Sequence, residues 1–83
     1  MKLVYFAWVR ERAGIAEEQV TLPAGVTTPA QVMAWLSGQG ENYAYAFEHA
    51  PLIRAAADQR HVKHDADISA AGELAFFPPM TGG

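Results

Sequence analysis

The chain has 83 residues, 51% of them hydrophobic, and a formal net charge of −3, which describes one domain with a single core and no room for a deep, self-contained catalytic cleft. The absence of cysteine excludes disulfides, thiol nucleophiles, CxxC redox pairs and thiolate metal sites. Lys2, Arg10, Arg12, Arg54, Arg60 and Lys63 are scattered among acids, so no basic stripe exists to displace counterions from nucleic acid.

The uncharged run at residues 3–9 is too short for a secretory leader, and nothing approaches the roughly 20 apolar residues that span a bilayer. The expectation is a cytoplasmic protein with neither nucleic acid nor membrane as a partner. Residues 3–9 are rich in β-branched and aromatic types and read as a first strand. Leu3, Tyr5 and Ala7 fall on one face, and Val4, Phe6 and Trp8 on the other. A strand apolar on both faces is either covered twice or keeps one face for a partner.

Residues 10–16, with Gly14, read as a connection, with room in it for a helical turn. Glu18-Gln19-Val20-Thr21-Leu22 alternates polar and apolar, so a second strand pairing back on the first is expected there. Thr28-Pro29-Ala30-Gln31 carries a helix N-cap, a proline at the first helical position and a capping-box glutamine. Val32, Met33 and Leu36 continue it as an apolar stripe with Trp35 on its flank, and Gly38 and Gly40 end it.

A shorter helical segment is expected at residues 43–49, stopped by Pro51, then a third strand at residues 52–57. Asp58-Gln59-Arg60 reads as a hairpin turn into a short strand around His61 and Val62, followed by a loop at residues 65–72. Glu73–Phe77 is the last strand, ended by Pro78-Pro79, which donate nothing to a ladder. The order gives an α+β fold, a mixed sheet with one main helix covering one face. The helical crossover allows the first and last strands to lie side by side in parallel, which is the β-grasp, or ubiquitin-like, plan. The expected division is a β-grasp domain at 1–77 and an extended tail at 78–83.

That tail ends in Gly82-Gly83. Two glycines make the thinnest possible backbone, able to pass down a narrow channel and present a terminal carboxylate to another protein's active site. Pro78-Pro79 restricts φ and favours an extended approach, so less entropy is lost on docking. The reach from Pro78 is roughly 20 Å at about 3.3 Å per residue.

The whole chain resembles the small-subunit family of molybdopterin synthase. The residues that carry the resemblance are Leu3-Val4-Tyr5-Phe6-Ala7 followed by Val9-Arg10-Glu11, the Gly14 turn, the helix begun by Thr28, and above all Glu73-Leu74-Ala75-Phe76-Phe77-Pro78-Pro79-Met80-Thr81-Gly82-Gly83. The resemblance implies a sulfur carrier with Gly83, preceded by Gly82, as its reactive end. An adenylating enzyme related to ubiquitin-activating enzymes would use ATP and Mg to make an acyl-adenylate at Gly83. Sulfur from a donor protein would then give a thiocarboxylate. The loaded tail would enter the large subunit of a heterotetramer and donate sulfur to cyclic pyranopterin monophosphate, building the molybdopterin dithiolene. No cofactor is expected on this chain itself.

The same resemblance implies a partner-binding surface at Phe6, His61 and Phe77, continued by Pro78, Pro79, Met80 and Thr81; His61 stands where the family usually carries a leucine-like residue. Plain core packing is the competing reading for Phe6, Trp8 and Phe77, and core or core edge is the simplest one for Trp8 and Trp35. His61, His64, Asp65 and Asp67 are metal-ligand types, but their spacing along a strand and loop reads as a solvated turn, so no metal is expected. Three functional alternatives stay open: a carrier serving thiazole synthesis or tRNA thiolation, a ubiquitin-like modifier, and a non-catalytic β-grasp interaction domain.

Overall fold

The computed structural model describes residues 1–79. Five strands form one sheet: β1 (Lys2–Tyr5), β2 (Glu17–Gln19), β3 (Arg54–Ala57), β4 (Arg60–Val62) and β5 (Glu73–Phe77), in the order β2-β1-β5-β3-β4. β1 and β5 are parallel, with Leu3 opposite Leu74 and Tyr5 opposite Phe76, and every other pairing is antiparallel. Three helices accompany the sheet among the described residues: α1 (Ala7–Ala13), α2 (Pro29–Ser37) and α3 (Glu41–Ala46), with a 3-10 turn at Ala50–Leu52. This is the expected α+β β-grasp plan, its parallel central pair included.

The period of two along the strands sends Leu3, Tyr5, Leu74 and Phe76 to one face. There they are buried with Val9, Val32, Met33, Leu36, Phe47, Ile53 and Ile68. Tyr5, Phe47 and Phe76 form an aromatic cluster, Tyr5 stacked on Phe76 and Phe47 edge-on to both, with centroids 5.2–6.4 Å apart. Trp8 and Trp35 pack on the rim of this core, half-buried.

Helix α2 begins as its sequence dictates. The Gln31 amide donates to Thr28 Oγ1 at 3.2 Å, and Gln31 Oε1 accepts from the Thr28 amide at 3.2 Å, closing the capping box. The β3–β4 hairpin turns through Asp58 and Gln59, both at positive φ (48° and 69°). This two-residue left-handed turn matches the twist of the flanking strands.

Four element boundaries differ from expectation. β1 stops at Tyr5, and residues 7–13 are helical rather than strand and connection. The switch occurs at Ala7, whose φ of 50° breaks the extended run immediately after Phe6. Gly14 then ends α1 at φ 85°, a left-handed cap that glycine adopts without a Cβ penalty. β2 is Glu17–Gln19, earlier and shorter than residues 18–22, because Glu18 is the residue opposite Leu3. The short helix is Glu41–Ala46 rather than 43–49, since Phe47 leaves helical geometry to enter the core. β3 begins at Arg54, because Pro51 and Leu52 are taken up by the 3-10 turn.

Candidate functional site: the open sheet face and the root of the tail

The helices cover one sheet face, and the other bears a shallow depression of about 400 Å³. Its floor follows from the register. Val4 pairs with Ala75, Ala75 with Ala56, and Ala56 with His61, so one row of side chains crosses four strands. Two alanines at the centre of that row leave a low methyl floor. Phe6, Phe77 and His61 stand around it, joined by Lys2, Glu17, Gln59 and Glu73.

Each wall residue is held by a specific local feature. Phe77 is the last residue of β5, opposite Arg54 of β3, and its ring meets the His61 imidazole edge-on with centroids 5.3 Å apart. Phe6 continues β1 by one residue, its amide donating to the Phe76 carbonyl at 3.1 Å. The left-handed Ala7 then turns the chain away into α1, and Phe6 remains 50% exposed. An apolar ring so exposed beside further apolar surface is a feature of interaction sites rather than of a lone surface residue. Phe6, Phe77 and His61, distant in sequence, therefore meet at one depression. The core reading does not hold for Phe6, and Phe77 is only half-buried.

One end of the depression is charged. Lys2 Nζ lies 3.4 Å from Glu17 and 3.8 Å from Glu73. All three are solvent-accessible, so the pairs fix side-chain positions more than they stabilise the fold. Behind the sheet, Glu18 accepts hydrogen bonds from the hydroxyls of Tyr5 (2.8 Å) and Tyr43 (2.6 Å). Burial, reinforced by the bond to the Glu18 carboxylate, raises the Tyr5 hydroxyl far above the ordinary phenol range. The same causes push Tyr43 up to about 12. Both phenols therefore stay protonated donors at neutral pH, and they tie β1, β2 and α3 together on the side of the sheet away from the depression.

β5 delivers the chain directly to Pro78 and Pro79, both half-buried beside this face. Met80, Thr81, Gly82 and Gly83, the remaining candidate residues, lie outside the described residues. Among the described residues no group of three metal-ligand side chains comes together. His64 Nε2 instead sits 2.6 Å from the Ile53 carbonyl. Asp67 accepts from the Ser69 amide at 2.9 Å, and its bonds to Ser69 hold its carboxyl below the ordinary range. Among the described residues, no helix is long and apolar enough to cross a membrane.

Sequence reasoning missed Ala56 and Ala75, whose small size shapes the floor. The signal for Ala75 was the Glu-Leu-Ala-Phe-Phe alternation, which sets it opposite in facing to Leu74 and Phe76; Ala56, in Arg-Ala-Ala-Ala, had none. It missed also the Tyr5–Glu18–Tyr43 bridge, which depends on the register of β2.

Comparison with known proteins places this geometry in a lineage. The profile of the ThiS family matches residues 3–83. The chain is 35% identical over 83 residues to the molybdopterin synthase sulfur carrier subunit of Escherichia coli K12, covering 100% of this chain and 99% of that protein. It is 30% identical, over the same shares, to the protein of that name from Haemophilus influenzae. Among solved structures it superposes on SAMP1 from Haloferax volcanii with a TM-score of 0.71 at 25% identity, covering 100% of this chain and 98% of that one. Molybdopterin converting factor subunit 1 from Pyrococcus furiosus shares the fold, with a TM-score of 0.71 at 24% identity over 94% of each chain.

Proposed function

We propose a function from one premise: the chain belongs to the ThiS family. It serves as the sulfur carrier subunit of a molybdopterin synthase, active only in complex with the large subunit. The observation that carries this reading is full-length identity of 35% and 30% to two proteins bearing that name.

The proposed chemistry centres on Gly83. A free carboxylate is a poor electrophile, so Gly83 is first adenylated by a partner enzyme related to ubiquitin-activating enzymes, which binds the ATP and Mg. Sulfur from a donor protein then displaces AMP at the acyl carbon, leaving a thiocarboxylate. In a heterotetramer of two small and two large subunits, Gly82 and Gly83 thread the large subunit. The sulfur passes to cyclic pyranopterin monophosphate, and two such transfers form the dithiolene. The Phe6–Phe77–His61 depression is the docking surface, Pro78 and Pro79 set the direction of the tail, and Met80 and Thr81 lie along its path. The reactions belong in the cytoplasm, where the pathway's soluble partners are.

The test pairs mass spectrometry with a transfer assay. Incubation with the adenylating enzyme, ATP and a sulfur source should replace one terminal oxygen by sulfur, and the product with large subunit should convert the pterin precursor. A variant carrying one bulky residue after Gly83 should fold normally and transfer nothing; full dithiolene production by that variant overturns the reading. The likeness to SAMP1, a small archaeal modifier protein, favours a second reading as a protein modifier, in which Gly83 would be found in isopeptide linkage to lysines.

A further inference from the structure

The basic residues that look scattered in the sequence are not all scattered in the fold. At the open end of the β3–β4 hairpin lies a second concavity of about 530 Å³, lined by Leu52, Arg54, His61, Val62, Lys63 and Pro79 among others. Among the described residues its lining contains no aspartate or glutamate, in a chain whose acids outnumber its lysines and arginines by 9 to 6. Ala55 pairs with Val62, so the antiparallel register sets Arg54 and Lys63, one step further out, opposite each other. Like charges facing across a strand pair are unfavourable. Both are exposed, and among the described residues neither makes an ion pair. His64, whose Nε2 meets the Ile53 carbonyl at 2.6 Å, links the two sides of the hairpin next to them.

We infer that this groove receives an acidic segment of the large subunit, one or two carboxylates flanking an apolar side chain. The inference rests on the sulfur-carrier reading and adds the chemistry of one contact to it. Charge complementarity carries it: the facing Arg54 and Lys63 repel each other in the free chain, and a carboxylate between them removes that repulsion. Exposed Leu52, at 59%, and half-buried Val62 offer the apolar member of the segment a seat. Continuity ties this groove to the face that the large subunit is proposed to hold. His61 lines both this groove and the docking depression, and Pro79, at the root of the tail, lines the groove. Whatever holds the sheet face and receives the tail therefore passes over it.

The experiment measures association of the full chain with the large subunit by titration calorimetry, comparing wild type, Arg54→Glu/Lys63→Glu, Arg54→Gln/Lys63→Gln and the remote control Arg10→Glu. Far-UV circular dichroism confirms folding of each. At about 50 mM salt the double reversal should weaken binding by about tenfold or more, the glutamine pair by less, and the control by under about twofold. The deficit should shrink at about 0.5 M salt, where exposed charges are screened. An affinity of the double reversal within about twofold of wild type at low salt, or an equal loss in Arg10→Glu, overturns the groove assignment. Failure of the sulfur-carrier reading looks different: the wild-type chain itself then does not bind the large subunit.

Discussion

Removing the Phe6 ring tests whether the open sheet face is a docking surface. The ring is 50% exposed, so with about 200 Å² of burial available to a phenylalanine, about 100 Å² remains for a partner to cover. At about 25 cal/mol per Å², complete coverage contributes about 2.5 kcal/mol, or about 60-fold in Kd. Ordering costs at the interface make that an upper figure, and a Phe6→Ala loss of about 10- to 60-fold is expected. The assay is calorimetric titration of Phe6→Ala with the large subunit and, separately, with the adenylating enzyme. The free variant also loses the covered half of the ring, so its thermal unfolding is recorded in parallel and titrations are run well below the midpoint. A folded Phe6→Ala chain that binds both partners within about twofold of wild type would refute the reasoning, because covering the exposed half of the ring should then have contributed measurably to binding.

Three further outcomes follow from the framework under that face. Stability should fall as pH rises above about 10, where unfolded tyrosine ionises but Tyr43, pushed up to about 12, and the still higher Tyr5 hold their protons. The unfolded state then binds fewer protons, so the slope of unfolding free energy against pH is negative, and chemical denaturation of Tyr5→Phe between about pH 9 and 12 should show a shallower decline. Thr28→Ala should cost about 1 kcal/mol by opening the capping box of α2, read as a lower denaturation midpoint with an unchanged m-value. Ala7→Gly should relieve the left-handed strain at φ 50° and stabilise the fold by up to about 1 kcal/mol, read as a higher midpoint; destabilisation instead would show that the Ala7 methyl has packing value.

What the sequence made legible was whatever is encoded locally. The Thr28 capping box, the Asp58-Gln59 turn and the Glu73–Phe77 strand each rest on residues within a few positions of one another, and the structure places them as expected. Helix α1 was hidden because Phe6, Ala7, Trp8 and Val9 have the side chains of a strand. The signal against that reading was Gly14 after Arg10 and Arg12, the pattern of a helix end. β2 was displaced because Val20 and Leu22 alternate convincingly, whereas its pairing is set by Glu18, aimed at two tyrosines from distant elements. The candidate site divides in the same way. Phe6, His61 and Phe77 were named through family resemblance, but the alanine floor between them and the facing of Arg54 with Lys63 exist only once the register is known.

The position of β5 in the sheet has a mechanical consequence. The segment leading to the glycine end is rooted in the middle strand, with β1 hydrogen-bonded along one side and β3 along the other. A pull on Pro78 along the strand axis therefore loads both ladders in shear, all bonds at once, instead of peeling an edge one bond at a time. If the segment beyond Pro79 works as proposed, entering a partner and leaving it again, this rooting would let the body behind it stay intact through each withdrawal.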